Sequence, residues 1–267
     1  MARITAVGFI FGLIAHWALG QQLVWFQPVL TGQTVAYSPN GQLLATPTQG
    51  NRIALYQNGQ VVGILSGATD AIMSIAFSPD GQYLTATGND GFLRQWRIAD
   101  RALLWSQSVF NGEAGYCVAY IDSQKIAVGG SGGILQVRRV ADGSIVQSLV
   151  WHSSSSTVMA LAVSPDRTQL ISADSGGSVA LWRISDGVRL QSWQAHLASL
   201  SAVAWSPEGT LLATGTLLGD MRIWERNGSS QWVLKHTVNA AHDFGVTGLA
   251  FVSSTLLYST GYDGKVR

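Results

Sequence analysis

The chain has 267 residues, 47% of them hydrophobic and 12% charged. Ten Trp, eight Phe and seven Tyr supply more apolar surface than a disordered chain carries, and the 30 glycines keep no three-residue period, so disorder and a collagen-like rod are excluded. A net charge of +1 argues against a general phosphate-binding surface, and therefore against a nucleic-acid partner; the single Cys117 excludes an intramolecular disulfide and any multi-cysteine metal site.

Residues 1–20 stand apart from the rest. Met1–Ala2–Arg3 leads into an apolar run from Ile4 to Gly20, interrupted by Thr5 and His16 and closing on Ala18–Leu19–Gly20. One basic residue, an apolar centre and a small–x–small ending fit a signal peptide. The run also reaches the low end of a membrane span, which gives a retained anchor and a membrane association as the second reading. An apolar element packed on the main domain is the third. Export or anchoring follows from the first two readings, a cytoplasmic location from the third. Residues 21–267 form the main domain. Its first element, Gln22–Leu30, has the pattern of a strand that precedes any partner.

A repeat then begins. Ala36–Thr46 reads AYSPNGQLLAT, and the phrase returns at Ala76–Thr87, Ala162–Leu170 and Ala204–Thr214. Degenerate copies lie at Val118–Ala127 and Leu249–Ser259, so six copies share a period of 40 to 43 residues. In each copy a short apolar strand runs into Ser–Pro–(Asp/Asn/Glu)–Gly or its remnant. Proline fixes φ, and Asp or Asn before Gly suits a tight turn. A second strand follows, then a Gly/Asn/Asp-rich turn, then a third strand with clean alternation, as in Phe92–Ile98, Ser178–Ile184 and Met221–Trp224. The fourth strands are Val61–Leu65, Ala102–Val109, Ile145–Val150, Val188–Trp193 and Gln231–Val238. Four strands per period with no helix between them predict a propeller blade.

These motifs resemble the WD40-repeat β-propeller family. The Ser–Pro–Asp–Gly turn, the Trp ending the third strand (Trp96, Trp182, Trp224) and the histidines before the first strand (His152, His196, His242) carry the resemblance, which covers residues from about 22 to the end. It implies an all-β fold of four-stranded antiparallel blades. Six blades come first, the ring closed by strand 22–30 joining the last blade; an incomplete seven-bladed propeller is the alternative. The resemblance also implies a buried network of His, turn Asp, second-strand Ser/Thr and Trp. The second copy offers Thr87, Asp90 and Trp96 without a His. The sixth offers His242, Ser259 or Thr260, and Asp263 without a Trp. No copy is expected to assemble all four members.

No catalytic constellation, cofactor motif or metal-ligand spacing stands out. His152 and His196 recur near the blade period, as junction histidines would, and most aspartates sit in turns. By resemblance the chain is a non-catalytic scaffold that binds a peptide or protein. The face formed by the loops before each first strand and between second and third strands includes Asp70, Asn89, Glu113, Asp174, His196, Leu218, Asp243, Phe244 and Tyr262. Two other classes remain: a propeller enzyme with acids near the axis, and an incomplete repeat segment of a larger scaffold. Trp105, Trp151, Trp193 and Trp232, in or beside fourth strands, read as filling between blades or as partner anchors.

Overall fold

The computed structural model describes residues 34–228 and 231–267. Six antiparallel sheets follow one another along these residues. Blade 1 comprises Ala36–Tyr37, Leu44–Thr48, Arg52–Gln57 and Gln60–Leu65. Blade 2 comprises Ile72–Phe77, Tyr83–Gly88, Phe92–Arg97 and Leu103–Ser108; blade 3, Gly115–Tyr120, Lys125–Gly130, Leu135–Arg139 and Ile145–Ser148. Blade 4 comprises Val158–Val163, Gln169–Asp174, Ser178–Arg183 and Arg189–Gln194; blade 5, Leu200–Trp205, Leu211–Thr216, Met221–Arg226 and Trp232–Val238. In each of the five, strands pair in chain order. The sixth sheet pairs Val246–Ser253 with Leu256–Gly261, and a bridge between Thr260 and Val266 starts a third strand. Strand 22–30, expected to complete this blade, lies outside the described residues, as do residues 1–20.

The turns form for the reason the sequence gives. At Ser78–Gly81 the serine hydroxyl donates to Asp80 (2.5 Å) and accepts from the Tyr83 amide (2.9 Å), while Asp80 also accepts from the Gln82 amide (3.0 Å). Ser38 with Asn40 and Ser164 with Asp166 repeat this arrangement. Each turn therefore closes on its own side chains and leaves the strands free to pack.

First strands of successive blades lie side by side. Ser74 accepts from the Val118 amide, Trp205 donates to the Ala162 carbonyl and Ser201 donates to the Val246 carbonyl, links spanning 43 to 45 residues. The core is correspondingly split into five layers, one between each pair of consecutive blades. Between blades 1 and 2 it holds Ile53, Leu65, Ile75 and Trp96; between blades 4 and 5, Ile171, Leu181, Leu200 and Trp224. No blade buries both of its faces without its neighbours, which is the stacking logic of a β-propeller.

Two irregularities recur at fixed positions. The first strand of blades 2–6 carries one extra residue near its start: Met73, Tyr116, Met159, Ser201 and Thr247. The fourth strand of blades 1–5 carries another opposite the end of the third: Val62, Leu104, Val146, Leu190 and Lys235. Such bulges re-aim side chains and increase local twist.

Candidate docking face and blade junctions

One backbone bond recurs in five blades and defines a face. The turn between second and third strands donates to the loop that leads into the same blade: Asn89 to Ala71 (2.9 Å), Ser131 to Ala114 (3.0 Å), Ser175 to Thr157 (2.9 Å), Leu217 to Ser199 (3.0 Å) and Tyr262 to Gly245 (2.9 Å). The two loop sets are thereby clasped at one end of blades 2 to 6. The turn glycine also binds the next blade. Gly177 accepts from the amides of Ala195 and His196, Gly219 from His242, and Gly91 from Val109 and Phe110. Gly177 (φ +82°) and Gly219 (φ +92°) are left-handed, and a Cβ on either would stand 2.1 Å from the carbonyl oxygen of His196 or His242. Only glycine fits that approach. The rim is continuous from blade 2 to blade 6.

Beneath the rim, blade 4 assembles the full network, contrary to the sequence expectation. His152 Nδ1 lies 2.9 Å from Asp174 Oδ2, His152 Nε2 lies 2.7 Å from Ser172 Oγ, and Trp182 Nε1 donates to the same hydroxyl at 2.9 Å. The missed member was Asp174, which closes the second strand two residues after Ser172 and does not come from the glycine turn. Its other oxygen caps that turn by accepting from the amides of Gly176 and Ser178. Burial alone would raise the Asp174 pKa; the bonds from His152 and the turn amides outweigh it and hold the carboxyl below its usual range.

Blade 6 builds three members: His242 Nδ1 to Asp263 (2.9 Å) and His242 Nε2 to Ser259 (2.9 Å). Ser259, and not Thr260, is the hydroxyl partner; Thr260 pairs with Thr247 (3.0 Å). Despite burial, bonds from His242 and from the amides of Lys265 and Asp243 lower the Asp263 pKa to about 2. Blade 5 builds a different three. His196 Nε2 lies 2.9 Å from Thr214 Oγ1, and Trp224 Nε1 donates to it at 3.0 Å, but Thr216 stands where blade 4 has Asp174. The Thr216 hydroxyl accepts the turn amides of Leu218 and Asp220, and so takes over the capping role alone. Burial, assisted by the Arg222 charge and opposed by Asp220, lowers the His196 pKa to about 4.

In blade 2 the predicted trio does not converge. The position matching Ser172 is Ala86, Trp96 Nε1 donates to the Ser66 carbonyl (2.8 Å), and Thr87 donates to the Phe92 carbonyl (3.1 Å). Asp90 instead accepts from Arg94 at 2.7 Å, both side chains 6% exposed, and from the Thr69 amide and hydroxyl. Arg94 thus fills the corner left by the missing histidine with an internal ion pair. At the next junction Phe110, 1% exposed, occupies the histidine position through the same bond to a turn glycine. Blade 3 puts Arg138 where blades 2, 4 and 5 have Trp; it is buried and donates to the Gly143 carbonyl (2.7 Å) and Gln136 (2.9 Å). A lattice stitches blades 2 and 3: Thr85 Oγ1 to Tyr120 OH (2.7 Å), Gln95 Nε2 to Tyr120 OH (3.1 Å) and Trp105 Nε1 to Gln95 Oε1 (3.1 Å). Burial raises the Tyr120 pKa to about 12.

Of the residues expected on the face, Asp174 and His196 are buried in these networks and present nothing outward. Asp70, Asn89, Glu113, Leu218, Asp243, Phe244 and Tyr262 are exposed in the clasped loops. Asp243 pairs with Lys265 at 2.8 Å. Leu197 and Leu217 were missed. Leu197 is 98% exposed, Leu218 70% and Phe244 66%, so the blade 5–6 sector is apolar while Asp70 and Glu113 mark the blade 2–3 sector as acidic. The outer tryptophans sit between blades: Trp232 is 3% exposed with its ring 5.3 Å from Trp205, and Trp193 lies 5.5 Å from Trp224. Among the described residues no group of three or more His, Cys, Asp or Glu converges to hold a metal, and no helix is long and apolar enough to cross a membrane.

Stacked four-stranded sheets of this period, with clasped loops at one end, define a β-propeller repeat protein. Residues 59–97, 143–183 and 187–225 match the WD domain, G-beta repeat family, so the chain carries WD40 repeats in three places. It is 25% identical over 96% of its length to actin-interacting protein 1-2 of Arabidopsis thaliana, covering 42% of that protein. It is 28% identical over 68% of its length to an uncharacterized WD repeat-containing protein of Synechocystis sp., covering 50% of it. Over 62% of its length it is 25% identical to apoptotic protease-activating factor 1 of Rattus norvegicus, covering 13% of that protein. The chain thus spans half or less of each of these relatives.

Proposed function

We propose that this chain is a non-catalytic docking module that holds a peptide or protein on the clasped loop face. The observation that carries the reading is the exposed apolar sector of Leu197, Leu217, Leu218, Phe244 and Tyr262, set on loops that backbone bonds hold in place. Exposed apolar side chains on a rigid rim lose little conformational freedom on binding and gain area removed from water. The name of the Arabidopsis relative, an actin-interacting protein, puts a protein ligand in the same class. The test is a selection of random peptides on the immobilised full chain, with a Leu218→Asp/Phe244→Asp variant as counter-target. Binders should lose affinity for the variant, and their hydrogen-exchange footprint should fall on the loops around residues 196–199, 217–219 and 243–245. Binders indifferent to the variant, or a footprint on the Ser–Pro–Asp–Gly turns, would refute the reading.

A further inference from the structure

The blade junctions differ in where their carboxylates come from. In blade 4 His152 has Asp174, in blade 6 His242 has Asp263, and in blade 2 Arg94 has Asp90, each within 2.9 Å. Blade 5 contains both kinds of cationic or donor group, His196 and Arg222, the latter at the strand position of Arg94. Yet the position of Asp174 is Thr216, and the position of Asp90 is Leu218. Arg222 Nη1 donates to the Ala195 carbonyl (2.5 Å), its Nε is buried without a partner, and Arg222 makes no ion pair among the described residues. Asp220, two residues away in sequence, makes no ion pair with Arg222 and accepts from the Ala240 amide at 2.8 Å. A donor-rich, carboxylate-poor corner thus underlies the most apolar sector of the face, with Leu197, Leu217 and Leu218 on the loops directly above it.

We propose that the blade 5 corner takes a side-chain carboxylate of its partner, from a segment in which Asp or Glu stands next to large apolar residues. The apolar residues cover Leu218 and Phe244, and the carboxylate meets the half-buried Arg222 guanidinium. In this way the partner supplies in trans the group that blades 2, 4 and 6 carry in cis. Charge-assisted bonds to a guanidinium in a partly desolvated site add orientation as well as affinity. Burial first and the Arg222 charge second lower the His196 pKa, so the positive charge of this corner is carried by Arg222.

The inference rests on the docking reading above, and one experiment separates the two. Random dodecapeptides, displayed with their C-termini fused so that only side-chain carboxylates are available, are selected on the full chain. Asp or Glu adjacent to Leu, Phe or Met is expected to be enriched. Synthetic copies of the selected peptides should lose roughly tenfold or more in affinity when the acid is changed to its amide, and again on the Arg222→Gln chain. Thr216→Asp, which restores the acid from within, should weaken the acidic peptides alike while raising the melting temperature, so a loss of binding there is not a loss of fold. Peptides that bind through Leu218 and Phe244 but ignore both the amide change and Thr216→Asp would overturn the carboxylate site and leave the docking face standing. Failure to select any peptide sensitive to Leu218→Asp/Phe244→Asp would overturn both.

Discussion

Junctions 2–3 and 3–4 perform the same mechanical task with opposite chemistry. At the first, an apolar ring, Phe110, fills the space beneath the rim, and polar contacts are displaced inward to the Thr85–Tyr120–Gln95–Trp105 lattice. At the second, His152 sits at the junction and is bound on both ring nitrogens. The backbone is common to all junctions that carry a turn glycine: a left-handed residue packed against the chain entering the next blade. The comparison teaches that glycine and main-chain bonds set the blade spacing, while the side chain beneath is a filler chosen for either apolar contact or full hydrogen-bond satisfaction. Unpartnered buried donors are the exception among the described residues, as at Arg222 Nε and the indole N–H groups of Trp193 and Trp232.

The difference can be broken from either side. Phe110→Ala should have the largest effect, a destabilisation of about 3–5 kcal/mol by urea unfolding, because a fully buried ring leaves a cavity between two blades. Ser172→Ala should cost about 2 kcal/mol, since both the Trp182 indole and the His152 ring lose their shared partner in the interior; a cost no greater than that of an exposed serine would show that blade 4 does not depend on its network. Acid titration sharpens the comparison further. His196 has a folded pKa of about 4, below its unfolded value, so the unfolded chain binds the extra proton first. Stability from this group is full above the unfolded pKa near 6.5 and drains as pH falls toward 4, by at most roughly 1.4 kcal/mol per pH unit. His196→Gln should flatten that part of the stability profile. Tyr120→Phe should have the smallest effect, about 1 kcal/mol, as Thr85 and Gln95 can still satisfy one another.

The repeat, the strand order and the turns were legible because each is a local phrase: Ser–Pro–Asp–Gly closes on its own hydroxyl and carboxylate within six residues. Six blades were read from six such phrases, and six sheets are present, the last with two strands and a bridge among the described residues. The junctions were less legible because their partners come from different copies. Asp174 was assigned to the partner face as a turn residue; it is instead the last residue of a strand, with its carboxylate turned under the rim. The signal was present, since a Ser-x-Asp spacing aims both side chains to one side of a strand. Phe110 carried a signal too. It follows its fourth strand by the same two residues as His196 does, but a phenylalanine at a histidine position reads as an ordinary core residue until the bond to Gly91 is seen. Leu197 and Leu217 were overlooked because exposure, unlike alternation, leaves no mark in a short loop.

The bulges on the fourth strands bear on how this molecule stays apart from copies of itself. The outermost strands of blades 1, 2 and 3, Gln60–Leu65, Leu103–Ser108 and Ile145–Ser148, contain no charged residue, and Val61, Val62, Leu103, Leu104, Ile145 and Val146 are exposed along them. Flat, uncharged, apolar edges of this kind are templates for intermolecular sheet growth, and lysines are the usual guard against it. The extra residue at Val62, Leu104 and Val146 breaks the even spacing of outward amides and carbonyls and twists the edge midway. An incoming straight strand then meets a break in register partway along the edge. Protection against fibre-like assembly is thus written into the backbone of the wheel's circumference, which leaves the side chains there free to remain apolar.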